Sequence, residues 1–152
     1  MRESTGLPVW AKLTSCVADL VSIARACAEA GADAVTAVNT IPGMAVDVGA
    51  RRPVLAAVTG GLSGPAIRPV ALRCVWEIAR AVDVPVIGCG GIASADDAVA
   101  FLLAGASAIQ VGTATFRDPR APWRILEEIT EWCEHEGVRS LSEIIGVARR
   151  AQ

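Results

Sequence analysis

Apolar residues along this chain alternate between two spacings, and the alternation sets the order of its elements. Val9 to Leu13, Ala34 to Val38, Val84 to Gly88 and Ala106 to Val111 are short runs rich in Val, Ile and Ala, the pattern of buried parallel strands. Cys16 to Ala30 instead places Val17, Leu20, Val21, Ala24 and Cys27 at helical spacing and closes at Gly31. A Pro- and Gly-containing loop from Ile41 to Pro53 and a short extended piece, Val54 to Val58, lead into Thr59-Gly60-Gly61-Leu62-Ser63-Gly64-Pro65-Ala66. Pro65 sits near the start of a helix predicted to run to about Val82. Ser94 opens another with Asp97 three residues on, a capping-box pattern, and Gly105 ends it. The tail predicts a helix from Ala121 to Glu136 and a short one from Ser140 to Ala148.

Strand and helix alternating in this way imply right-handed crossovers and a parallel sheet. Ala30-Gly31-Ala32-Asp33-Ala34-Val35 matches Ala104-Gly105-Ala106-Ser107-Ala108-Ile109, and Leu7-Pro8-Val9-Trp10 matches Val84-Pro85-Val86-Ile87. Two copies of a (βα)₂ unit suggest half of a barrel made by duplication. The 152 residues fall short of the roughly 250 of a complete eight-stranded α/β barrel. A doubly wound open sheet is the alternative, against which no G-x-G-x-x-G follows the first strand.

Composition narrows the function classes. The chain is 53% apolar, yet no uninterrupted apolar run reaches the roughly 18 residues of a membrane span. A net charge of −2 without a run of Lys or Arg gives no footprint for nucleic acid. Five scattered cysteines, none in a C-x-x-C pair, argue against a disulfide framework, a zinc site or an iron–sulfur cluster. The amino terminus has no apolar signal region, so a cytoplasmic protein with reduced thiols is expected.

Candidate chemistry gathers at the strand ends. Lys12, the sole lysine beside 13 arginines, interrupts an apolar strand on the face shared by Trp10 and Thr14. It is either a strand-end lysine reaching solvent or a cation held for a phosphate or an anionic cofactor ring. Asn39-Thr40 ends the second strand, as a turn starter or as site residues, since barrel active sites lie at carboxyl strand ends. Gly90-Gly91 and Gly112-Thr113 follow successive strands and precede helical segments, where backbone N–H groups bind phosphate. The single histidine, His135, reads as a solvated surface residue, Trp76, Ile78, Trp123 and Trp132 as core, and Asp96-Asp97 as a charge pair at a helix start.

Lys12-Leu13-Thr14, Val38-Asn39-Thr40, Gly60-Gly61-Leu62-Ser63-Gly64-Pro65-Ala66, Gly88-Cys89-Gly90-Gly91-Ile92 and Gln110-Val111-Gly112-Thr113 together resemble the C-terminal half of a class 1, B-type dihydroorotate dehydrogenase catalytic subunit. The resemblance spans residues 1–152 and implies an α/β fold, a parallel half-barrel corresponding to strands 5–8 of an FMN-binding TIM (β/α)₈ barrel. It implies FMN contacts at Lys12, Val38, Gly64, Gly90, Gly91, Gly112 and Thr113, and dihydroorotate or orotate contacts at Asn39 and Thr40. The family's catalytic base is a cysteine on a loop of the N-terminal half, and no cysteine here lies in a matching motif. A split or truncated enzyme completed by an N-terminal half is therefore expected. Other readings are a homodimeric, non-catalytic flavin- or phosphate-binding half-barrel and a dihydropyrimidine dehydrogenase-type subunit. The B-type resemblance also implies a partner subunit carrying FAD and a [2Fe–2S] cluster that passes electrons to NAD⁺.

Overall fold

The computed structural model describes residues 2–150. Four strands, β1 (Trp10–Leu13), β2 (Ala34–Ala37), β7 (Val86–Cys89) and β8 (Ala108–Gln110), form one parallel sheet in that order. Helices α1 (Leu20–Glu29), α2 (Arg68–Ile78), α3 (Ala95–Ala104) and α5 (Ala121–Glu136) belong to the helical layer over one face, with a short α4 (Ala114–Arg117) after β8. This is the α/β half-barrel the alternation predicts.

Register explains which face is covered. Ala11, Leu13, Val35, Ala37, Val86 and Gly88 share one side of the pleat, and Leu13, Val35, Ala37 and Val86 lie in a core with Ala24, Val75, Ile78, Ala98, Phe101 and Ile125. Phe101 presses so closely on β7 that a Cβ at Gly88 would come within 2.6 Å of its ring. The other face carries Trp10, Lys12, Thr36, Ile87 and Cys89. Trp10 remains 54% exposed there, on the side that would line a barrel's interior.

The internal repeat has a hydrogen-bonded counterpart. Asp33 N–H donates to Val9 C=O at 2.8 Å, and Ser107 N–H donates to Val86 C=O at 2.8 Å. Ala32 N–H to Cys27 C=O and Ala106 N–H to Phe101 C=O close the preceding helices in the same way. The matched residues thus occupy equivalent positions in β1–α1–β2 and β7–α3–β8.

Several boundaries differ from the sequence pattern. Helix α1 begins at Leu20 rather than Cys16, because Asp19 caps it by accepting from Ser22 N–H at 2.9 Å. The segment from 41 to 62 is an excursion of two antiparallel ribbons: β3 (Ile41–Gly43) pairs with β6 (Gly60–Leu62), and β4 (Val46–Asp47) with β5 (Arg52–Pro53). Val54 to Val58 is therefore not a strand; Val58 N–H bonds back to Leu55 C=O within a turn. The predicted helix from Pro65 to Val82 divides into a 3₁₀ turn, Pro65–Ile67, and α2, which stops at Ile78. The tail beyond α5 is two 3₁₀ segments, Leu141–Glu143 and Val147–Arg150, not an α-helix. Helix α5 carries Ile125 and Ile129 inward, with Trp132 packed beside them, but leaves Trp123 61% exposed, so Trp123 is not core. Its indole N–H donates to Glu127 one turn on, at 2.7 Å. Among the described residues no helix is long and apolar enough to cross a membrane.

Candidate functional site

The carboxyl ends of the four parallel strands open into one cleft of about 610 Å³. Lys12 comes from β1, Val38, Asn39 and Thr40 follow β2, Gly64 precedes α2, Gly90 and Gly91 follow β7, and Gly112 and Thr113 follow β8. All nine residues singled out from the sequence line this space. His135 stands apart on the surface, its ring at 3.0 Å from the Glu136 carboxylate.

The glycine loops are held by a buried carboxylate. Asp97 accepts from Ala93 N–H at 3.0 Å and Ser94 N–H at 3.2 Å, while Ser94 Oγ accepts from Asp97 N–H, completing the capping box. The same carboxylate pairs with Arg68 on the first turn of α2. One side chain thereby ties the loop after β7 to the loop before α2. Gly91 sits where these loops meet, at φ +77°, and a Cβ there would lie 2.7 Å from Gly64 C=O and 2.9 Å from Arg68 N. No L side chain fits that junction.

These loops also leave donors unused. Among the described residues, the amides of Gly91, Ile92, Gly112 and Thr113 have no hydrogen-bond acceptor, and all four residues line the cleft. Unpaired backbone N–H groups from two adjacent loops are suited to an anion such as a phosphate. On the cleft's wall, Arg124 donates to Glu128 at 2.6 Å, to Ala93 C=O at 3.2 Å and to Asp118 at 3.4 Å. The Glu128 bond first, then that to Asp118, raises the pKa of its guanidinium above the ordinary value.

At the other strand ends the polar groups are differently prepared. Asn39 Oδ1 accepts from Thr40 N–H at 2.8 Å, which leaves the amide NH₂ to donate. The β3–β6 ribbon approaches Thr40 so closely that a Cβ at Gly61 would reach 2.3 Å from its Oγ1. Lys12 Nζ donates to Cys89 Sγ at 3.6 Å across the sheet. Sequence reasoning missed Cys89, Arg117 and Arg124 as cleft residues. Cys89 carried a usable signal, since it lies inside the Gly88–Ile92 motif and on the inner face, whereas the two arginines sit on helices with no local sign of where they reach.

A family model described as dihydroorotate dehydrogenase matches residues 1–132. A protein of Pelobacter propionicus named dihydroorotate dehydrogenase B (NAD(+)), catalytic subunit, is 55% identical over 145 residues, covering 95% of this chain and 48% of that protein. Proteins with the same name from Geobacter metallireducens and Trichlorobacter lovleyi are 55% and 56% identical, over 96% and 95% of this chain and 48% of each relative. The chain spans about half the length of the curated relatives it matches.

Proposed function

The chain belongs to the dihydroorotate dehydrogenase family, and from that premise we propose that its cleft binds FMN and serves the oxidation of dihydroorotate to orotate, in de novo pyrimidine biosynthesis. The observation that carries this reading is the convergence of residues from all four strand ends on one cleft. FMN, when bound, supplies an acceptor for a hydride. The residues present suit that group. Gly90, Gly91, Gly112 and Thr113 would hold its phosphate, supported by the unpaired amides of Gly91, Gly112 and Thr113 and by the absence of a Cβ at Gly91. Val38 and Gly64 would border the ring system, and Lys12 would place a positive charge beside it. Asn39 and Thr40 would bind the dihydroorotate ring, Asn39 donating through the NH₂ that its bond with Thr40 leaves available.

None of the residues described takes the role of catalytic base in this proposal, which assigns it to the other half of the family's barrel. The relatives carry the name dihydroorotate dehydrogenase B (NAD(+)), catalytic subunit. By extension, a partner subunit carrying FAD and a [2Fe–2S] cluster would carry electrons from this site to NAD⁺. The two edges of the sheet that are open among the described residues support either a complementing half-barrel or a second copy of the chain as a further partner.

The test begins with the absorption spectrum of the chain after incubation with FMN and desalting. Retained flavin that dihydroorotate bleaches once an N-terminal half is supplied is the expected result. Flavin that stays oxidised in that mixture would reduce the protein to a non-catalytic flavin-binding half-barrel. Bleaching by dihydrouracil instead would move it to the dihydropyrimidine dehydrogenase type.

A further inference from the structure

We propose that Cys89 is the positioning residue for Lys12: its thiol draws the ammonium to the carboxyl-terminal rim of the sheet and holds it there without neutralising it. The role given to that charge rests on the flavin reading above; the clasp itself does not.

The register shows what the contact accomplishes. Lys12 is level with Thr36, and Thr36 with Ile87, so the residue straight across from Lys12 on β7 is Ile87. Cys89 lies two positions further along the same face, about 6.6 Å nearer the rim. With Nζ 3.6 Å from Sγ, the lysine side chain crosses β2 and leans toward the glycine loops instead of lying straight across the sheet. Cys89 is itself fixed, because its C=O accepts from Val38 N–H at 2.7 Å and Gly88 beside it is closed in by Phe101.

The choice of a thiol has an electrostatic consequence. Among the described residues no carboxylate forms an ion pair with Lys12. A thiol is a weak, neutral acceptor, so it steers the ammonium and leaves the positive charge available to an anionic ligand group. An aspartate at this position would accept the same hydrogen bond and cancel that charge. An alanine would release a flexible four-carbon stem to many rotamers.

Two measurements on the full chain test this. The first is a short amine-to-thiol crosslinker applied without flavin, with the product mapped by mass spectrometry. Since Lys12 is the sole lysine, a Lys12–Cys89 link is expected, and its absence would overturn the clasp whatever the flavin does. The second is the FMN dissociation constant, by quenching of flavin fluorescence, together with the midpoint potential of the bound flavin. Cys89→Ser should stay within about twofold of the unmodified chain, Cys89→Ala should weaken binding about fivefold, and Cys89→Asp should approach Lys12→Met in both readouts. In a Lys12→Met background, Cys89→Ala should add nothing. Equal effects of Cys89→Ala with and without Lys12 would mean that the thiol acts on its own and that the proposal is wrong. A mapped crosslink in a chain that binds no FMN would retain the clasp and discard the flavin reading.

Discussion

Lys12 carries the chain's one side-chain ammonium, and its removal is the sharpest single-residue test of the site. Lys12→Ala should weaken FMN binding about 10- to 100-fold, the effect of losing one charge-assisted hydrogen bond, and lower the flavin's reduction potential. Unchanged affinity and potential would mean that the Lys12 charge does not act on the flavin. Cys74 offers a separate pH test. It is fully buried, and burial raises its thiol above the ordinary 9.0, against the smaller opposite pull of Arg73. Above pH 9 the unfolded chain therefore gives up a proton that the folded chain keeps, so stability falls as pH rises through the unfolded value toward the folded one. Urea midpoints measured between about pH 8 and 10.5 should decline, and Cys74→Ala should start lower but decline less. Lys12, Asn39 and Thr40 were legible from sequence because polar groups at the ends of apolar runs stand out. Arg124 was not, since nothing in the helix period of α5 tells that its guanidinium reaches back to Ala93.

Among the elements, the join between the loop after β7 and the start of α2 depends on Asp97. Asp97→Ala should cost about 2 to 3 kcal/mol, below the full figure for a broken buried pair because Arg68 is partly exposed. It should also weaken FMN binding more than Ser94→Ala does, which loses only the cap; equal losses would show that the Arg68 tie is irrelevant to the loops. The excursion from 41 to 62 holds Val58 at φ +68°, where a β-branched side chain is strained by about 1 to 2 kcal/mol. Val58→Asn should raise the thermal midpoint, and a fall would mean that the valine contributes packing that outweighs the strain. Helix α3 was readable because it carries end signals: Ser94 and Asp97 open it, and Gly105 closes it at positive φ. The ribbons β3 to β6 were not, because strands of two or three residues are too short to show a period. Periodicity also overran α1, since Cys16 and Val17 fit the helical spacing while the Asp19 cap decides where the helix starts.

For the whole molecule, the sheet is the dominant fact. Among the described residues, strands β1 and β8 each pair along one edge only, and the inner face still exposes Trp10. The 152-residue chain should therefore sediment above its 15.7 kDa monomer mass, and Ala108→Lys on the β8 edge should return it toward that value. A monomer at all concentrations would show that the edges are not adhesive. The parallel order and the duplication were both legible, because four apolar runs and two matching Gly-Ala segments are long-range patterns that survive errors at element ends. The ribbon β4–β5 projects an exposed tip that ends at Arg51, followed by Arg52 of β5, with exposed residues on either side from Met44 to Thr59. Trypsin should nick the folded protein after Arg51 before it cuts either βαβ unit. A fluorescent tag spliced in at the same point would leave the chain's strand ends and helices undisturbed.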